Sequence, residues 1–150
     1  MNILRYFIFL LYLIIAIRVN AADVEISGTQ ATREDLQDSS TLTISGTLDG
    51  DLNNIVRGYI AAGNEIDNAT VVVDSGGTIQ GQSNAIMGRE TDSLTVINSG
   101  TIEATSSKAI QLRDSQNATI TNKSGGTIFA NTNAIVQQSA GTEDAENTTI

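Results

Sequence analysis

Six charged side chains between residues 74 and 114 are of the types that carry acid–base or lyase chemistry: Asp74, Asp92, Glu103, Asp114, Arg89 and Arg113. Two carboxylates can divide the acid and base roles between them, and an arginine nearby can grip an anionic group bidentately. Arg89 and Arg113 recur one repeat apart on the same exit corner, with Asp92 and Asp114 near them. The chain has no histidine for proton transfer near neutral pH, hence no Ser-His relay, and no cysteine for a nucleophile, a disulfide or thiolate-bound zinc. These charges read as solvated corner groups, and no catalytic residue, cofactor-binding residue or metal ligand is assigned. Asp49-Gly50-Asp51-Leu52-Asn53 opens like a calcium loop, but Asn54 stands where the sharp-turn glycine belongs and Ile60 where the bidentate glutamate belongs. It reads as a turn. Glycosylation-like triplets at Asn68, Asn117, Asn122 and Asn147 follow from the abundance of Asn and Thr.

The scaffold holding these groups is a repeat. Gly-Thr-Ile or Gly-Thr-Leu occurs at Gly46-Thr47-Leu48, Gly77-Thr78-Ile79, Gly100-Thr101-Ile102 and Gly126-Thr127-Ile128. An Ala-Ile pair follows at Ala85-Ile86, Ala109-Ile110 and Ala134-Ile135, and a Thr-Val/Ile pair precedes at Thr43-Ile44, Thr70-Val71, Thr95-Val96 and Thr119-Ile120. The last pair returns at Thr149-Ile150, giving spacings of 27, 25, 24 and 30 residues. Three β-prone segments per repeat, parted by Gly, Ser, Asn and Asp, describe three sides and three corners of one solenoid turn. The expected fold is all-β: a right-handed parallel β-helix of about four coils of roughly 25 residues, with three short strands per coil.

Alternation agrees with this. Leu94, Val96 and Asn98 share one face of their strand, as do Ala69, Val71 and Val73 one coil earlier and Ala118, Ile120 and Asn122 one coil later. Apolar residues then stack inward along the axis, Thr70, Thr95 and Thr119 form an outward column, and Asn98 and Asn122 align so that their amides can bond. Ile79, Ile102 and Ile128 face inward on the second side, and Ile86, Ile110 and Ile135 on the third. A helical period fits none of these segments, and a disordered Ser/Thr/Asn-rich tract has no need of aligned isoleucines. With aromatic residues at only 4%, the core must be built from stacked Ile, Val, Leu and Ala.

The coils are unequal. In the first, twelve positions separate Thr47 from Tyr59, where later coils need seven or eight before the Ala-Ile pair; the excess within residues 49–68 reads as a corner loop. A second polar stretch, residues 139–147, widens the fourth. Residues 22–40 lack the repeat and are expected as an N-terminal cap or mobile lead, with residues 31–37 mildly helix-prone; the coils are assigned to 41–150. Thr149-Ile150 falls partway through the first strand of a fifth coil, leaving a stub about 20 Å long with an open apolar edge. The expectation is a fragment: a truncated product, a split reading frame or an incomplete gene model.

Residues 1–21 read as a signal peptide. Arg5 and the α-amino group make a short positive region, residues 6–17 are an uninterrupted apolar run, and Val19-Asn20-Ala21 supplies the small residues of a cleavage site. Twelve apolar residues are too few to span a bilayer, so cleavage after Ala21, or alternatively Ala22, is expected; Arg18 leaves an uncleaved anchor as the other reading. The full chain carries a formal charge of −9, and without Arg5 and Arg18 it carries −11. Such a surface repels phosphate backbones, so no nucleic-acid partner is expected.

Asn98-Ser99-Gly100-Thr101-Ile102, Lys123-Ser124-Gly125-Gly126-Thr127-Ile128 and the Ala-Ile pairs, together with the leader and the cysteine-free acidic composition, resemble the passenger domains of classical autotransporters. The resemblance covers roughly residues 41–150. It implies a β-helix displayed outside a bacterial cell as an adhesin or virulence factor, with a host-cell surface, matrix or carbohydrate as partner. In that family a C-terminal β-barrel in the outer membrane carries the passenger across. No strand series here could build one, so membrane association is expected only through that missing barrel, and a chain ending at Ile150 would stay periplasmic. Some parallel β-helices are polysaccharide lyases or hydrolases with carboxylates and basic residues on neighbouring coils, so a remnant of such an enzyme is the alternative. A truncated product without function is the third.

Overall fold

The computed structural model describes residues 23–50, 54–58, 66–139 and 149–150; the signal segment and its cleavage positions lie outside the described residues. Three five-stranded parallel sheets run along a common axis, and among the described residues there is no helix. The first side stacks Val24–Ile26, Thr41–Ile44, Thr70–Val73, Thr95–Asn98 and Thr119–Asn122. On the second stand Thr29–Gln30, Thr47–Gly50, Thr78–Gly81, Thr101–Ala104 and Thr127–Ala130. The third holds Glu34–Asp35, Asn54–Gly58, Asn84–Arg89, Lys108–Arg113 and Asn133–Gln138. Each strand pairs with its counterparts one coil before and after, which makes the chain a β-solenoid of about four turns.

The fold follows from what parallel stacking does with an in-register repeat. Each inward residue lands on its homologue, so one apolar column per position suffices for a core. Leu42, Val71, Val96 and Ile120 form one column, Leu48, Ile79 and Ile102 another, and Val56, Ile86 and Ile110 a third; each of these side chains is at most 3% exposed. Ile128, Ala130 and Ile135 extend the columns into the last coil, where they are only partly buried. The buried apolar residues are all Ile, Leu, Val and Ala, as the scarcity of aromatics required.

Registers in the first full coil differ from the sequence expectation. Thr41, rather than Thr43, pairs with Thr70, and Leu42 pairs with Val71, so the spacing there is 29 residues and not 27. Since side chains alternate with period two, this two-residue difference leaves the same residues facing inward. On the third side, Val56 is the partner of Ile86 and Asn54 of Asn84, so Ile55-Val56 takes the Ala-Ile place only eight and nine residues after Thr47. The surplus residues of that coil therefore follow the strand Asn54–Gly58 and do not precede it. Asp49 and Gly50, the start of the calcium-like motif, belong to a strand; residues 51–53 lie outside the described residues.

Residues 24–35 form an abbreviated coil of their own. Val24–Ile26 pairs with the strand Thr41–Ile44, Thr29 with Thr47, and Glu34 with Val56. Residues 31–37 contain a two-residue strand in place of any helical turn, and Leu36 seals the core at 2% exposure. A bidentate ion pair ties this coil to the next: Arg57 Nε and Nη2 donate to Asp35 Oδ1 and Oδ2, each at 2.8 Å.

Two asparagine ladders bond along the axis. Asn98 Nδ2 donates to Asn122 Oδ1 at 2.8 Å, the amide contact the alignment suggested. On the third side Asn84 Nδ2 donates to Asn54 Oδ1 at 2.8 Å, while the next position in register is Lys108, then Asn133. Asn84 Oδ1 is buried and accepts no hydrogen bond among the described residues. Lys108→Asn places an amide donor under that oxygen and restores the ladder. We expect it to stabilise the fold by about 1 kcal/mol, read as a higher urea midpoint at unchanged slope. An unchanged or lower midpoint would sink the ladder account.

Candidate functional site: the outer faces and corners

Chemistry in a solenoid is confined to outward positions and corners, because inward positions are committed to the core. Strand register places Arg89 directly beside Arg113, as the spacing suggested. Each arginine is ion-paired with the acid that follows it, Arg89 with Glu90 at 3.1 Å and Arg113 with Asp114 at 3.6 Å. Glu90 and Asp114 both hold positive φ, 52° and 50°, at equivalent points of the corner. The Glu90 amide donates to Arg113 O and the Asp114 amide to Gln138 O, so this corner is bound coil to coil by its backbone. These pairs are partly exposed and of modest strength.

Asp92 stacks elsewhere. It pairs with Asp67 on one side and bridges Gln116 on the other, in a small extra sheet of Ile66–Asp67 and Thr91–Asp92 that the three-sided expectation did not include. Its carboxylate accepts from Asn117 Nδ2 at 2.9 Å and from Ser93 Oγ at 3.1 Å. Asp74 begins the turn between first and second sides, and Glu103 stands outward on the second side between Gln80 and Phe129. The six candidates are thus spread over several edges, and only the two arginines are brought together as rank partners. Among the described residues no three acidic, histidine or cysteine side chains are grouped to hold a metal ion.

The corner entering the first side carries a signal that the sequence reading passed over. Ser39, Asn68, Ser93 and Asn117 all adopt the left-handed conformation, with φ between 51° and 59°. Each is the second residue of a tetrapeptide ending in the rank threonine: Asp38-Ser39-Ser40-Thr41, Asp67-Asn68-Ala69-Thr70, Asp92-Ser93-Leu94-Thr95 and Gln116-Asn117-Ala118-Thr119. Asn tolerates this backbone best after glycine, and Ser is short enough to accept it. The left-handed backbone accounts for the asparagines at 68 and 117; Asn147 lies outside the described residues.

The outward positions form ranks. Thr41, Thr70, Thr95 and Thr119 stand in line on the first side, and Thr149 bridges to Thr119. On the second side Thr29, Thr47, Thr78, Thr101 and Thr127 do the same. Compared with protein-family models, curated proteins and solved structures, the chain matches none of them.

Proposed function

We propose that this chain is an exported solenoid of the passenger type, a structural and adhesive display module with a non-catalytic role. The observation that carries the reading is the use made of its polar groups. Asn98, Asn84, Arg57 and Asp92 join one coil to the next, and the outward positions of the first and second sides each include an unbroken rank of threonine hydroxyls. Such a rod presents a long repetitive surface with little investment in any single pocket. The leader at residues 1–21 and the mature charge of −11 suit a soluble module outside the cytoplasm, meeting a host-cell surface, matrix or carbohydrate.

The full chain expressed in a Gram-negative host tests the first half of this reading. The purified product should begin at Ala22 or Asp23 by mass spectrometry and appear outside the cytoplasm. A cytoplasmic product retaining Met1 or Asn2 would refute export. Surface-coated beads should then adhere to immobilised matrix or glycans and lose adhesion after digestion of those layers. Beads that bind no better than beads coated with an unrelated acidic protein would refute the adhesive role.

A further inference from the structure

We propose that the first side is a face for an uncharged water lattice, the surface of ice. Its outward rank of Thr41, Thr70, Thr95 and Thr119 is accompanied, two residues on, by a second rank reading Thr-Val-Ile-Thr. All eight positions are at least partly exposed and none is charged, in a chain of net charge −9. Charges begin at the borders of this four-strand patch: Glu25 pairs with Thr43 on the preceding strand and Asp23 accepts from the Thr41 amide, Asp67 and Asp92 stand before the strands, and Asp74 and Lys123 after them. Within the same four coils the other two sides carry charge among their outward positions, Asp49 and Glu103 on the second and Arg57 and Arg113 on the third.

Residue-for-residue pairing makes the two ranks straight, with steps of about 4.8 Å along the axis and about 6.7 Å between ranks. Both repeats lie close to spacings between water oxygens on the prism faces of hexagonal ice. Each threonine offers one hydroxyl able to donate and accept within such a lattice. Its methyl group, with Val72 and Ile97 beside it, releases poorly ordered water on contact.

Other occupants fit less well. Four strands of four residues cover roughly 250 Å², far below the about 800 Å² per partner of a stable protein interface. The four strands from Thr41–Ile44 to Thr119–Asn122 hold no aromatic ring against which a sugar could stack, and no outward charge to recognise an ionic surface. This inference is independent of the export reading, whose test concerns cleavage and location.

The test is inhibition of ice recrystallisation in a frozen sucrose solution, using the full chain. Wild type should keep crystals small, and Thr95→Lys or Ile97→Lys should abolish the effect, while Glu103→Gln on the second side should leave it unchanged. Circular dichroism confirms that each variant is folded, and fluorescently labelled wild type should enter a growing ice hemisphere on discrete planes. Folded wild type without inhibition or uptake would overturn the proposal. So would inhibition that survives both lysine variants, or binding to crystalline cellulose or chitin by a protein inactive on ice.

Discussion

Gly100→Ala should remove cooperative folding or cost more than about 3 kcal/mol, the upper range for overpacking. The glycine of each Gly-Thr-Ile sits where one coil crosses the carbonyl groups of the coil before. A Cβ on Gly100 would collide with Gly77 O and Asp74 O and stand 3.0 Å from Val73 Cγ1. These obstacles are mostly backbone, and they cannot withdraw. Thr101 N donates to Gly77 O at 2.9 Å, Thr78 N to Gly46 O at 2.8 Å and Thr127 N to Gly100 O at 2.8 Å. Relief at one coil would therefore have to break the same ladder at its neighbours. Two other glycines separate this effect from conformational freedom. Gly76 has open space around its Cα but a φ of +91°, so Gly76→Ala should cost about 1 kcal/mol through backbone strain alone. Gly28 has open space and no such φ, so Gly28→Ala should fall within about 0.5 kcal/mol of wild type. Urea unfolding of the three variants decides the matter. If Gly100→Ala is no worse than Gly76→Ala, close approach is not the reason for the repeated glycine.

That series also shows why the fold was legible. Gly-Thr-Ile encodes three demands at once: no side chain where coils cross, an outward hydroxyl, and an inward branched residue. A sequence meeting all three four times in register has few alternatives to stacking, which is why the columns of Ile79, Ile102 and Ile110 could be read directly. The errors arose where one demand was met by a different residue. Ile55-Val56 fills the Ala-Ile place, because a larger residue is accommodated where Ala85 and Ala109 stand in later coils, and the pair therefore lacks the alanine that marks this side elsewhere. Residues 24–35 carry no Gly-Thr-Ile, yet Ile26 and Leu36 are enough to cover the first edge of the core.

Less of the site was legible. Arg89 and Arg113 fell into rank because their strands have equal length and no insertion between them. Asp92 was harder to place, since it is fixed by the left-handed Ser93 that follows, and positive φ leaves only a faint compositional trace in Ser and Asn. The recurring tetrapeptide that ends at Thr41, Thr70, Thr95 and Thr119 is the better marker of register. It returns as Glu146-Asn147-Thr148-Thr149, and Thr149 does bridge to Thr119.

The second large effect is expected at Asn98, which is fully buried yet polar. Val73 occupies its place one coil earlier, so the site can house an apolar residue, and the amide must have a task. It donates to Asn122 Oδ1 at 2.8 Å and to Thr127 O at 3.0 Å, and its own oxygen accepts from Gly100 N at 3.2 Å. One side chain thus closes the short turn from Thr95–Asn98 to Thr101–Ala104 and grips the coil below. Asn98→Val should cost about 1–3 kcal/mol at every pH, the penalty for polar partners left unpaired. Asn98→Asp keeps the shape but sets a carboxylate against two acceptor oxygens in the core. Burial and those acceptors raise its folded-state pKa above the unfolded value of about 3.9. The sign follows from that. Below about pH 4 the new carboxyl is protonated in both states, can donate one of the lost hydrogen bonds, and should leave a small deficit. As pH rises through the raised folded-state pKa, stability should fall to a plateau about 3–5 kcal/mol below wild type, the cost of an uncompensated buried charge. Urea midpoints of wild type and both variants, measured across acid and neutral pH, provide the check. A deficit for Asn98→Asp that is equal at acid and neutral pH would mean that the side chain escapes to solvent and that the inter-coil amide bond is dispensable.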